Sequence, residues 1–266
     1  MSSTLLAMTK ATDKSEGARG TLEPPWRSAP KRGRVPRPQL TRAVVVGAAL
    51  KVVEAEGGDA LTMRRVADEI GVSASSLYGY VANKEELVQL VLEQIMTEIS
   101  FPSAGGDWQQ MLRDWARETR SVFRRHPGVA GLTLGRVPFG PGMLAGAERM
   151  LGVLRAAGLP DQVAAFAGDI GSLYVAAYAH EEDVTPVAAP GEFAAQAGQW
   201  LKSLPADQFP HTVALADLIV AGDSDDRFEW GLDLLIRGLA SYLTSPPSAE
   251  ARWPRAGGEG VARPSR

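Results

Sequence analysis

The 266-residue chain has no cysteine, three histidines, and no apolar run close to the roughly 20 residues that span a bilayer. Without cysteine, disulfide frameworks and thiolate zinc sites are excluded, which fits a reducing compartment. The histidines, His126, His180 and His211, sit in no pairing with acidic residues at metal-ligand spacing. Missing too are a phosphate-cradling glycine loop and a nucleophile elbow, so nothing supports an enzyme. The apolar patch at residues 5–8 is too short for a signal-peptide core. The expectation is a soluble cytoplasmic protein that is not an enzyme and needs no cofactor or metal. Its length allows one large or two modest domains with a substantial core.

What is present is unevenly charged. The net charge is −3. Residues 31–84 nevertheless carry Lys31, Arg32, Arg34, Arg37, Arg42, Lys51, Arg64, Arg65 and Lys84 against five acidic residues, whereas residues 101–245 carry eleven basic and seventeen acidic ones. Segregation of this kind suggests that the first region meets a polyanion and the second does not.

The apolar periods are helical throughout, with no alternating strands, and predict an all-α chain. Residues 1–38 are rich in Ser, Thr, Gly, Pro and charge and are expected to be disordered. Within them PKRGRVPRP is either a solvated tail or a basic arm that follows phosphates or enters a minor groove. A helix is expected over 41–56, with Val44, Val45, Ala48, Ala49, Val52 and Val53 on one face and Gly57-Gly58 as its stop.

The stretch TMRRVADEIGVSASSLYGYVANK, residues 62–84, writes two short helices around a tight corner. Thr62 can cap a helix over 63–70, Gly71 can close it in the left-handed conformation, and Ser73 can cap a second over 74–80. Asn83, with Glu86 three residues on, reads as a capping box opening a helix to about Ile99. Val66, Ala67, Ile70, Val72 and Leu77 are spaced to fold the first two helices together, as a helix-turn-helix requires. A helical hairpin inside a larger core would share much of this pattern.

LTMRRVADEIGVSASSLYGYVANKEELV resembles the DNA-binding domain of the TetR family of bacterial repressors, most specifically over residues 77–87. RRHPGVAGLTLGRVPFGP, RMLGVLRAAGLP and DRFEWGLDLLIRGL are similar, in order, to the all-helical C-terminal domain of relatives of the tetracycline repressors. The implied architecture is a three-helix helix-turn-helix head over 39–100, a larger helical ligand-binding and dimerisation domain over 107–244, and a loose tail over 245–266. By resemblance, Arg64 can reach a base edge, where an arginine can take guanine O6 and N7 together. Ala74, Ser75, Ser76 and Tyr80 correspond to groove-facing positions, with Ser73 at the start of that helix. Tyr78, Lys84 and Thr62 correspond to positions near phosphates. Gly79 departs from the family pattern, which usually has a large residue there. The resemblance also implies a small apolar effector whose binding moves the heads of a dimer off a palindromic DNA operator.

Trp115, Phe123, Leu151, Tyr174, Tyr178 and Trp200 are the candidates to line the effector site; each could equally fill core. The long helix expected over 160–183 has small residues at Ala164, Gly168 and Gly171, and the last helix, over 225–243, has Phe228, Leu232, Leu235 and Leu239 at helical spacing. Two such helices per chain can form a four-helix dimer interface, or the crowded centre of a monomeric bundle. The consecutive His180, Glu181, Glu182 and Asp183 point different ways and read as a solvated helix end. The histidine and metal arrangement of the tetracycline repressors maps onto no position here. The alternative function is a DNA-binding regulator whose C-terminal domain binds a protein partner.

Overall fold

A computed structural model describes residues 40–101, 106–136, 140–184 and 190–244. The expected N-terminal arm and C-terminal tail, most of the boundary at 101–106 and the segment 185–189 lie outside the described residues. The described residues, from Leu40 to Thr244, belong to one compact unit. Among the described residues every regular element is helical, and no helix is long and apolar enough to cross a membrane.

Helix α1 (Arg42–Glu56) starts where the Thr41 hydroxyl accepts the Val44 N–H at 3.2 Å and stops at Gly57, whose φ of 84° suits glycine. The expected face is buried except at Val44, which is half-buried, and Val46 and Leu50 are buried as well. This breadth follows from position, because α1 is wedged against α2 (Met63–Ile70) and α4 (Lys84–Met96). Thr62 caps α2 through the Arg65 N–H at 3.1 Å, and Gly71 closes it at φ 77°.

Helix α3 (Ala74–Leu77) is shorter than expected. It gives way at Tyr78 to a turn in which the Tyr80 and Val81 N–H groups both donate to the Leu77 carbonyl. Gly79, with its poor helix propensity, falls in this turn. Ser73 holds the first cap position, but its side chain makes no capping bond; its hydroxyl lies 2.9 and 2.8 Å from those of Ser75 and Ser76. At α4 the Asn83 side chain accepts the Glu86 N–H at 2.9 Å, while Glu86 reaches back one residue further than a capping box, to the Ala82 N–H.

The remaining helices build the body. They are α5 (Trp108–Arg125), α6 (Val129–Thr133), α7 (Pro141–Ala156), α8 (Asp161–Val184), α9 (Pro190–Lys202), α10 (Pro210–Ala214), α11 (Ala216–Ile219) and α12 (Ser224–Thr244). The two short helices α10 and α11 follow one another, interrupted at Leu215. Helix α8 is the central post, packed by α5, α6, α7 and α12, while α9 packs on α10 and α11.

The helix end at 180–183 is structured. Buried Arg120 of α5 pairs with Glu182 of α8 and with Asp225 of α12, with its guanidinium carbon 4.3 Å from the centre of the Phe228 ring. Arg124 bonds the same two carboxylates at 2.7 and 2.6 Å. Burial alone would raise the pKa of Glu182, but Arg124, Arg120 and the Ser224 hydroxyl outweigh it and hold the carboxyl at about 2. Asp183 accepts the Gly128 N–H at 2.8 Å. The expected solvated end is thus the joint of three helices.

Several residues assigned to a dimer interface are used inside one chain. Ala164, Phe228 and Leu232 are buried in the chain's own core, and a Cβ on Gly171 would come 3.2 Å from the Trp115 ring. Gly168, Leu235 and Leu239 are half-buried, the two leucines still on the inward side of α12. The close approach that Gly171 permits is made by α5 of the same molecule, while a Cβ on Gly168 would meet nothing within 4 Å. Large apolar side chains left exposed on α8 and α12 include Ile170, Leu173, Trp230 and Leu234, with Val184 and Leu243 at the helix ends.

Candidate nucleic-acid interface and effector cavity

The corner formed by α2 and α3 presents small and hydroxyl side chains. Val66, Ala67 and Leu77 are buried beneath it, fixing α3 against α2. Outward stand Thr62, Arg64, Ser73, Ser75, Ser76 and Tyr78, the last 58% exposed. Ala74 and Tyr80 are half-buried and pack partly on the core, and the Tyr80 carbonyl accepts Arg42 Nε at 3.1 Å. The neighbouring arginines of α2 differ in availability. Arg65 is held by Glu56 at 2.8 Å and Glu69 at 3.0 Å, whereas Arg64 is exposed and has no partner among the described residues. A free guanidinium on the first helix and hydroxyls on the second form a surface able to bond phosphates and base edges.

Lys84 is half-buried and borders a cleft of about 450 Å³ that also touches Glu56, Asp59, Arg136, His180 and Asp183. It therefore faces the body at least as much as the corner. His180 lies in this cleft with Nδ1 buried and unpartnered among the described residues, pressed on Gly131, where a Cβ would come 2.8 Å from that nitrogen.

A second cavity, of about 330 Å³, is largely apolar. Its walls include Trp115 and Phe123 of α5, Met143 and Met150 of α7, and Gly168 and Leu173 of α8. Met96 and Ile99, at and just beyond the end of α4, close one side. Thr119, Thr133 and Ser172 offer hydroxyls, and Arg136 and Asp169 are its charged lining residues. Of the six residues expected to line an effector site, the structure brings only Trp115 and Phe123 here.

The other four lie elsewhere. Tyr174 stacks on Phe228 at a ring-centre distance of 5.4 Å and Tyr178 meets the same ring edge-on at 5.5 Å, and the Tyr174 hydroxyl donates to the Phe228 carbonyl at 2.8 Å. Burial pushes the Tyr174 phenol up to about 12. Leu151 is half-buried against the core, and Trp200 is 62% exposed on α9. Met96, Met143, Met150 and Arg136 were not anticipated in the lining. Aromatic spacing finds large side chains but cannot separate core from cavity, and unbranched methionine leaves no such mark.

Comparison with known proteins bears on the family. Residues 45–91 match the family described as bacterial regulatory proteins, tetR family, and residues 101–243 match the tetracyclin repressor-like C-terminal domain. The HTH-type transcriptional repressor DrrR1 of Streptomyces coeruleorubidus is 35% identical over 82% of this chain and 84% of its own. The class A tetracycline repressor from transposon 1721 in Escherichia coli is 30% identical over 76% of this chain and 91% of its own. Among solved structures, the TetR family protein ActR of Streptomyces coelicolor in complex with actinorhodin superposes with a TM-score of 0.70 at 41% identity, covering 77% of this chain and 97% of ActR. The free corner at Arg64, the helical body behind it and these matches lead to one assignment: this chain belongs to the TetR family of helix-turn-helix transcriptional regulators.

Proposed function

We propose that the protein is a homodimeric repressor that reads a palindromic operator and leaves it when a small, largely apolar molecule occupies the cavity between α4, α5, α7 and α8. One observation carries the reading. Helix α4 begins directly after the recognition corner, and its far end supplies Met96 and Ile99 to the cavity wall. A ligand pressing there acts on the helix that carries the head. It can shift the equilibrium only by binding the released conformation more tightly than the DNA-bound one.

Within the head, Arg64 reads a base edge and Ser75 and Ser76 contact the groove, with Ser73 at the start of their helix, while Thr62 and Tyr78 hold phosphates. Ala74 and Tyr80, partly turned inward, add apolar contact at most. Lys84, drawn into the cleft, contributes a field more than a direct bond. Few of these side chains distinguish bases strongly, so DNA shape supplies part of the specificity. Such a protein acts where the bacterial chromosome is, in the cytoplasm.

ActR was solved with actinorhodin bound, and the cavity here, with Trp115, Phe123 and methionines in its wall, suits a small, largely apolar ligand. A cavity favours a small molecule over a protein partner, which needs an exposed groove. Selection of DNA fragments from a random pool by the purified protein at two salt concentrations tests the core of the proposal. A recovered inverted repeat, bound less tightly as salt rises, is expected. Recovery of no motif would overturn operator reading.

A further inference from the structure

We propose that the effector carries an acidic group that Arg136 binds, and that Arg136 relays this to the DNA head through Glu85. The proposal rests on reading the α4-α5-α7-α8 cavity as the effector site.

Arg136 occupies an unusual place. It lines the apolar cavity and also the polar cleft in which Lys84 lies, so it stands at the partition between them. Its backbone is fixed just past α6, where its N–H donates to the Thr133 carbonyl at 3.2 Å, and its Nη1 donates to the Leu132 carbonyl at 3.1 Å. Nε lies 3.6 Å from a carboxylate oxygen of Glu85, close enough for ionic attraction but too far for a hydrogen bond. Most of the guanidinium's five donors are therefore uncommitted.

The rest of the cavity says what those donors are for. Arg136 is its one cation among the described lining residues, and the opposing charge, Asp169, has no partner among them. Aromatic rings and methionines accept a flat apolar body but cannot orient it. An arginine fork matches a carboxylate in two parallel bonds, and an apolar wall strengthens the attraction by excluding water. Asp169 would repel a second acid and favours a hydroxyl or other donor at its end. The ligand class is an aromatic acid with a neutral or donor group distant from the acid.

Coupling follows from sharing. Glu85 belongs to the first turn of α4, beside Lys84 and two residues after the Asn83 cap. A guanidinium turned into the cavity to meet a ligand carboxylate gives up its pull on Glu85, and α4 loses a tie to the body at the end nearest the DNA corner. Such coupling is reciprocal: if the ligand weakens the Arg136 to Glu85 attraction, removing the Glu85 charge must favour the ligand.

The test uses the full chain and three probes, anthraquinone-2-carboxylic acid, its methyl ester and 2-(aminomethyl)anthraquinone, with affinity read from quenching of tryptophan fluorescence. Loss of the quench in W115F places a probe in the cavity. The wild type is expected to bind the acid about tenfold more tightly than the ester, and R136Q to bind both alike through weakened acid binding alone. R136K, which keeps the charge without the fork, should fall between. E85Q should bind the acid about two- to threefold more tightly than the wild type and the ester no differently. Unchanged acid affinity in both Arg136 variants, or preference for the amine, would overturn the acid assignment. An E85Q affinity equal to the wild type's would overturn the relay. Failure of all three probes to bind the wild type removes the cavity reading itself, and the proposal with it, before any variant is compared.

Discussion

His126 Nδ1 lies 2.6 Å from Glu54 Oε1, joining the first residue past α5 to the last turn of α1. On the other side of the ring, Nε2 meets the Glu98 carboxylate at 3.1 Å, and Arg125 approaches Glu98 at 3.5 Å. Both ring nitrogens can donate only when the imidazole is protonated. Burial opposes that charge, but the hydrogen bonds to Glu54 and Glu98 outweigh it and raise the pKa above its ordinary 6.5. Because the folded value is the higher one, the stabilisation is complete below about 6.5 and is lost as pH rises through the raised folded value. Wild type should exceed H126Q in unfolding free energy by about 1 kcal/mol near pH 6, and the gap should close as pH rises through the raised folded value. Denaturant melts at a series of pH values check this; a gap that widens with pH would contradict the ionic assignment.

Glu182 makes the opposite prediction. Its carboxyl is held at about 2, so its contribution is complete above the unfolded value of 4.5 and disappears as pH falls through about 2. Glu182→Gln leaves Arg120, buried among Phe228 and Tyr178, with one ion partner fewer. The cost should be about 3 kcal/mol at neutral pH, measured by thermal or chemical unfolding. Replacing Arg120 by Met in the same chain should recover part of it, since the uncompensated charge is then gone.

Arg64 and Arg65 are adjacent in sequence and opposite in use. Arg64→Ala should leave the melting temperature unchanged, cost about 1–3 kcal/mol of operator binding and relax preference at one base pair. Arg65→Ala, which removes the pairs with Glu56 and Glu69, should lower the melting temperature slightly and alter base preference little. Selection sequencing of both variants beside the wild type decides the matter. Equal, uniform losses of affinity would place Arg64 on a phosphate.

What could be read from the sequence follows from range. The caps at Thr41, Thr62 and Asn83 and the left-handed Gly71 depend on a few neighbouring residues, and they stand where local chemistry puts them. Ser73 holds its cap position without a capping bond because its hydroxyl has two more serines within reach, a competition that a cap rule ignores. Contacts between distant helices were less legible. Ala164, Gly168 and Gly171 announce that something approaches closely, without saying whether it belongs to the same chain. In α12, Phe228 and Leu232 read as one apolar stripe with Leu235 and Leu239, yet a second apolar pair, Trp230 and Leu234, runs along another side. The cavity needed three dimensions altogether, since Met96, Trp115 and Met150 come from three helices.

That second side of α12 yields the last prediction. Trp230 is 69% exposed and Leu234 49%, while α8, which packs against α12, leaves Ile170 and Leu173 about as exposed. Large apolar side chains left exposed on two adjoining helices are costly in water, and each stabilises an association by about 1.5–3 kcal/mol when buried. The proposed dimer therefore closes on these residues, with the inward Phe228 and Leu232 holding each half together. W230D/L234D should sediment as a folded monomer with helical content and melting cooperativity retained, and should lose most operator affinity because one head alone contacts a half-site. Leu232→Asp, by contrast, puts a charge into the core and should unfold the body. A W230D/L234D protein that still sediments as a dimer would move the interface to another face of the helical body.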